Sequence, residues 1–177
     1  MATTPDTAKP PTKPLSLPLY VRGTVVKGLG RGNKDLGIPT ANLDDGAIAS
    51  LPSDFDNGIY YGWASVDRTD VHKMVMSVGY NPHYGNRKKS MEAHLIHEFP
   101  EDFYGSELSI VVVDFLRDEK SFPSLEALIA AIHADINGAS INLDRNDKYL
   151  KIKQSPFFQR ETTKEEEGTT DAVPAST

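Results

Sequence analysis

The residues best equipped for chemistry lie in one run: Gly28-Leu29-Gly30-Arg31-Gly32-Asn33-Lys34-Asp35-Leu36-Gly37-Ile38-Pro39-Thr40-Ala41-Asn42. Gly28, Gly30, Gly32 and Gly37 let backbone N–H groups approach a ligand closely and tolerate positive φ. Arg31 and Lys34 offer charge to a polyanion. Thr40 and Asn42 are two apart, so on an extended segment both side-chain oxygens share one face. Two neutral oxygens, completed by phosphate oxygens and water, suit Mg²⁺, a hard ion that keeps much of its hydration.

Other glycine-rich loops have different spacings. The phosphate-loop pattern G-x-x-x-x-G-K-[ST] is absent, and so is G-x-G-x-x-G, because the third glycine comes one residue early. On spacing alone the run also reads as a surface loop between strands, with Thr40 packed in a strand and Asn42 closing a turn.

A second candidate is Glu92, in the alternating segment Ser90 to Phe99. It faces opposite to Met91 and Ala93, so it belongs on a solvent-facing surface, in a salt bridge or in a cleft. His94 shares its face and His97 does not. Neither histidine has a metal-site partner at the right spacing, which argues against a histidine metal centre.

Gly28 to Asn42 resembles the nucleotide-binding loop and Pro-Thr-Ala-Asn motif of riboflavin kinases. Three further blocks resemble that family in the same order: Gly58-Ile59-Tyr60-Tyr61-Gly62-Trp63-Ala64, Ser77-Val78-Gly79-Tyr80-Asn81-Pro82, and Met91-Glu92-Ala93-His94-Leu95 followed by Asp102-Phe103-Tyr104-Gly105. The similarity runs from about Tyr20 to about Phe158. It implies a six-stranded antiparallel Greek-key barrel with a C-terminal helix packed on it. It also implies transfer of the ATP γ-phosphate to the 5′-hydroxyl of riboflavin, giving FMN and ADP. Mg²⁺ would be held by Thr40 and Asn42, with Zn²⁺ or Mn²⁺ as substitutes. The resemblance implies ATP contacts from Gly28, Gly30, Arg31, Gly32, Lys34, Thr40, Asn42, Leu95, His97 and Tyr104. It implies flavin contacts from Met91, Glu92, Arg117 and Phe122, and makes Glu92 the catalytic base. Lys88 and Lys89, with Arg87 before them, fall in what the family uses as a loop over the substrate. A glutamate is too weak a base to deprotonate an alcohol in advance. Its role is to orient the hydroxyl and accept the proton late, once bonding to phosphorus has begun.

Bulk properties narrow the alternatives. The chain has 177 residues, one domain on the length prior, and no cysteine. Disulfides, thiolate metal sites and a cysteine nucleophile are therefore excluded. No signal sequence or apolar run of spanning length is evident, so a cytoplasmic protein that does not engage a membrane is expected. The net charge is −6. Half of it lies in residues 160–177, which leaves no general basic field for nucleic acid. A small barrel binding single strands would want a basic aromatic groove. A flavin- or nucleotide-binding module without catalysis is the remaining alternative, but a pure binder has no use for Thr40, Asn42 and Glu92 together. The family resemblance also includes chains fused to an FAD-forming adenylyltransferase. At this length FMN formation alone, by a monomer, is expected.

These groups must be positioned by a domain spanning residues 19–159. Residues 1–18, with five prolines, and the acidic residues 160–177 lack core-forming composition and read as disordered tails. Between them the signal is mostly strand. Tyr20–Lys27 alternates, and Ile59–Val66 is aromatic and β-rich. Asp67–Asp70 connects to His72–Tyr80, Asn81–Asn86 is a loop, and Glu107–Leu116 contains the apolar run Ile110–Val113. The region Ile38–Leu43 is expected to supply the sixth strand. One helix is predicted over Leu125–Asn137, capped by Ser124 and stopped by Gly138, with Leu125, Leu128, Ile129, Ile132 and Ile136 on its apolar face. A short second helix is expected within Asn142–Ile152.

Overall fold

The computed structural model describes residues 17–28, 36–80 and 88–160. Six strands form a closed barrel. In chain order they are β1 (Leu19–Val26), β2 (Ala41–Leu43), β3 (Gly58–Val66), β4 (Val71–Tyr80), β5 (Lys89–Leu95) and β6 (Glu107–Arg117). Round the barrel the order is β1-β2-β5-β4-β3-β6, every neighbour antiparallel. The chain leaves after β2, builds the β3–β4 hairpin, and returns as β5 beside β2. The expected barrel is therefore present, and the Ile38–Leu43 region does supply its sixth strand.

Period-two alternation explains the closure. Val21, Val25, Met74, Met76, Val78, Met91, Ala93, Leu95, Leu108, Ile110 and Val112 point inward and form the barrel core. Phe55 plugs it, its ring stacked on Tyr60 at 4.6 Å. The β3–β4 hairpin turns on Asp67 and Arg68, both at positive φ (49° and 53°), as a turn matching strand twist requires. An ion pair from Arg68 Nε to Glu107 Oε1 at 2.8 Å holds this strained arginine. That cation also holds the Glu107 carboxyl below its usual range.

The second core lies outside the barrel. Tyr61, Trp63, Val75, Val111 and Val113, on the outer face of β3, β4 and β6, are covered by α2 (Leu125–Arg145), α3 (Asp147–Lys153) and the 3₁₀ turn Pro156–Phe158. Trp63 Nε1 donates to Tyr149 O (2.8 Å), and Tyr149 donates to Asp114 Oδ2 (2.6 Å). Burial, then that carboxylate, push the Tyr149 hydroxyl up. Lys73 Nζ donates to Asp144 Oδ2 at 2.6 Å, tying α2 to β4. Among the described residues no helix is long and apolar enough to cross a membrane.

Two helical expectations need correction. Ser124 does cap α2, accepting from Ala127 N at 3.1 Å. Gly138, however, does not end the helix, which continues to Arg145. The helix continues because its buried contacts lie beyond the glycine, at Ala139 and Leu143. The predicted apolar face was also placed too early. Ile136 packs on the outer core, whereas Leu125 is 53% exposed and the N-terminal half of α2 stands clear of both clusters. The short helix α1 (Asp45–Ala49) was not anticipated. Asp44 makes it, accepting from Ala47 N (2.8 Å) and Thr24 N (3.1 Å). Those two backbone donors hold the Asp44 carboxyl below its ordinary range.

A Cβ at Gly138 would meet nothing within 4 Å. Gly138→Ala should therefore stabilise the fold by about 0.5–1 kcal/mol through the lost chain entropy. Leu143→Ala should cost about 2–5 kcal/mol, since Leu143 is fully buried. Urea midpoints of the two variants check both signs.

Candidate active site

The alternation that fills the barrel also turns a polar set outward. On β5, Met91, Ala93 and Leu95 are buried, so Ser90, Glu92 and His94 face out. On β2, Ala41 and Leu43 are buried, so Thr40 before it and Asn42 within it face out beside them. Asn42 and Glu92 are register partners. Thr40 Oγ1 donates to Glu92 Oε2 at 3.3 Å. His94 Nδ1 lies 2.8 Å from Pro39 O. A carbonyl only accepts, so Nδ1 carries the proton, and this bond holds the strand leading into Thr40.

Gly28 completes this group. A Cβ there would collide with the Asn42 carboxamide, whose Cγ would be 2.7 Å away. Glycine lets the backbone lie on that amide, and a larger residue would force the Asn42 side chain to shift. Gly30, Arg31, Gly32 and Lys34 fall outside the described residues, as do Arg87 and the expected Asn81–Asn86 loop. The chain around them leaves from Gly28 and re-enters through Gly37 (φ 73°) into Thr40. Lys88 Nζ donates to Asp45 Oδ2 at 3.0 Å and Lys89 Nζ to Phe55 O at 2.7 Å.

Thr40 hydroxyl, Asn42 carboxamide and Glu92 carboxylate thus offer oxygen donors from adjacent strands. No group of three His, Cys, Asp or Glu that could hold a metal occurs among the described residues. A donor set this sparse, all oxygen, fits a hard divalent ion that takes its remaining ligands from phosphate and water.

The other predicted residues are distributed around this centre. Leu95 and Met91 are in the barrel core, 4% and 1% exposed, so their side chains point away from the outer face. His97 stacks on His72, ring centroids 4.1 Å apart, and the edge of Phe99 packs against both. Tyr104 is exposed, with Lys27 Nζ 5.6 Å from its ring. It therefore stands beside the strand end that leads to Gly28. Arg117 and Phe122 come together beyond the end of β6, 5.7 Å from guanidinium carbon to ring centre. Arg117 is fixed by Asp135 of α2, which accepts from Nε (2.9 Å) and Nη2 (2.6 Å). Sequence reasoning missed Asp135, because a lone acid in a helix reads as a solvated charge.

Residues 15–143 match the family model described as "Flavokinase: Riboflavin kinase". A mouse protein named riboflavin kinase is 57% identical over 144 residues, 81% of this chain and 92% of that one. A human protein of the same name is 56% identical over 143 residues, with the same coverage. A riboflavin kinase structure from Trypanosoma brucei superposes with a TM-score of 0.65 at 26% identity, covering 81% of this chain and 90% of that one.

The His72–His97 stack has a consequence for stability. Burial, then the His97 neighbour, lower the His72 pKa below its ordinary value, and Asp70 only partly opposes them. The unfolded chain therefore takes up this proton more readily than the folded one. Stability should fall as the pH drops from 7 through the usual histidine range near 6.5. His72→Phe, which keeps a ring on His97, should show a smaller loss between pH 7 and pH 5 in urea titrations. An equal loss would remove His72 as the cause.

Proposed function

This chain belongs to the riboflavin kinase family, and we propose how its residues convert riboflavin to FMN. It phosphorylates riboflavin with ATP as donor, generally assisted by a divalent metal. The observation that carries the assignment of roles is the Thr40–Glu92 contact across β2 and β5, with Asn42 directly opposite Glu92.

Phosphoryl transfer asks the protein mainly to position groups and balance charge. The glycine run from Gly28, with Arg31 and Lys34, holds the ATP phosphates. Thr40 and Asn42 would hold Mg²⁺, which would supply positive charge against those phosphates. The isoalloxazine ring rests on the Arg117–Phe122 side, and the adenine on the His97–Tyr104 side. The riboflavin 5′-hydroxyl donates its hydrogen bond to Glu92. As the hydroxyl oxygen bonds to the γ-phosphorus, its proton passes to the Glu92 carboxylate. The bond from γ-phosphorus to the bridging oxygen breaks, and ADP leaves with that electron pair. Thr40 Oγ1 keeps the carboxylate in one rotamer before substrate arrives, so little reorganisation is needed.

Glu92→Gln keeps the size of the side chain and removes the proton acceptor. Turnover should fall by about 10²–10⁴. Riboflavin and ATP affinities should change far less, because the lost interaction belongs to the transition state. The check is chromatographic separation of FMN from riboflavin. A full-rate variant would remove Glu92 as base.

Thr40→Ala and Asn42→Ala should each raise the Mg²⁺ concentration needed for half-maximal rate while circular dichroism stays unchanged. Wild-type Mg²⁺ dependence in both variants would take these two residues out of the metal site.

A further inference from the structure

Glu119 is a carboxylate that the roles above leave unused. It follows Arg117 by two residues and precedes Phe122 by three. Its side chain folds back onto β4. A Cβ at Gly79 would strike its carboxylate, with Cδ at 2.8 Å and Oε2 at 2.9 Å. Any side chain at 79 would displace that group.

Its placement relative to Glu92 follows from the register. Gly79 pairs with Ser90, and Ser77 pairs with Glu92. Met76 and Val78 point into the barrel, so Ser77 and Gly79 face out, as do Ser90 and Glu92. Gly79 is therefore the diagonal neighbour of Glu92, about 7–8 Å away in the sheet. Ser90 Oγ, between them on the same face, lies 3.4 Å from Gly79 O. The outer surface thus reads in order: Glu92, Ser90, the Glu119 carboxylate on Gly79, then Arg117 and Phe122.

Glu119 does not serve as the hydrogen-bonded counter-ion of Arg117, whose Nε and Nη2 donate to Asp135 and whose Nη1 donates to Asp118 O. Among the described residues nothing donates a hydrogen bond to it. Burial against the strand pushes its carboxyl above the usual range, and the Arg117 charge opposes that only in part. An ionised carboxylate accepts hydrogen bonds and donates none. The matching ligand chemistry is a chain of hydroxyls. In riboflavin the ribityl chain joins the ring to the reacting 5′-hydroxyl and carries three secondary hydroxyls.

We propose that Glu119, seated on Gly79, recognises the secondary hydroxyls of the ribityl chain and so fixes the span between the ring and the hydroxyl presented to Glu92. This rests on the riboflavin kinase reading above. Gly79 is then glycine because the carboxylate occupies the place of a side chain. Removing the acceptor should matter only for ligands that carry the hydroxyls.

The test compares riboflavin with 10-(5-hydroxypentyl)-7,8-dimethylisoalloxazine, which keeps the ring and terminal hydroxyl but lacks the three secondary ones. Affinities are measured on the full chain by flavin fluorescence, without ATP. Wild type should bind riboflavin more tightly than the analogue. Glu119→Ala should lose about tenfold or more in riboflavin affinity, as for a hydrogen bond to a charged group, and leave the analogue unchanged. Gly79→Ala keeps the charge but moves the carboxylate, and should give the same selective loss with an unaltered melting curve. Equal losses for both flavins, in either folded variant, would make Glu119 a structural prop and overturn the inference. So would unchanged riboflavin binding. If wild type forms FMN yet discrimination ignores position 119, only this inference fails. If wild type neither binds nor phosphorylates riboflavin, the reading beneath it fails as well.

Discussion

The structure depends on the seam where β2 meets its neighbours. β2 is only three residues long, yet it closes the barrel. Val25 and Val26 of β1 pair with Leu43 and Asn42, and Ala41 and Asn42 pair with Ala93 and Glu92. Asn42 is thus held from both sides. So short a strand contributes few ladder bonds, and its position is set largely by burial of Ala41 and Leu43. A slip of one residue would bury Asn42 and expose both neighbours, at the cost of a buried amide without a partner. The same seam carries Thr40, Asn42 and Glu92. Closing the barrel and assembling the polar centre are therefore one event.

The two cores divide the remaining work. The inner one sets strand register and hence which residues face out. The outer one, under α2 and α3, anchors the helix that presents Asp135. Trp63, Tyr149 and Asp114 form a partly buried chain of donors and acceptors, which defines how α3 docks more sharply than apolar contact does. The pair of Asp135 with Arg117 then transmits that docking to the end of β6. Leu125, at the free N-terminal end of α2, lies near Phe122 in sequence and outside both cores.

Much of this was legible in the chain. Alternation in Tyr20–Lys27 and Ser90–Phe99, and the apolar run in Glu107–Leu116, correspond to β1, β5 and β6, because each buries one or both faces of a regular strand. The Thr-x-Asn spacing placed two oxygens on one side, and β2 does turn Asn42 outward. What was not legible depended on contacts distant in sequence. Gly138 looked like a stop, since local propensity cannot register that Leu143 will be buried under α2. The helix α1 is one capped turn, and its Asp44 gains its second partner from Thr24, 20 residues away. Asp135 and Glu119 read as surface charges until Arg117 and Gly79 are seen against them.

Stability and the outward polar set are separable along β5. Along β5 successive residues serve opposite purposes: Met91, Ala93 and Leu95 hold the barrel, while Ser90, Glu92 and His94 face outward. Polar changes at the outward positions of β5 remove no core volume, so their cost in stability is that of a surface substitution. Changes on the inner face create cavities and cost several times more. An antiparallel barrel wall thus lets a site vary without unfolding its support. The exception is the seam itself, where Gly28 lies on the Asn42 amide. There a side chain would disturb the polar centre and the strand that closes the barrel together. A side chain at 28 would therefore force the Asn42 carboxamide to move, before any ligand is considered.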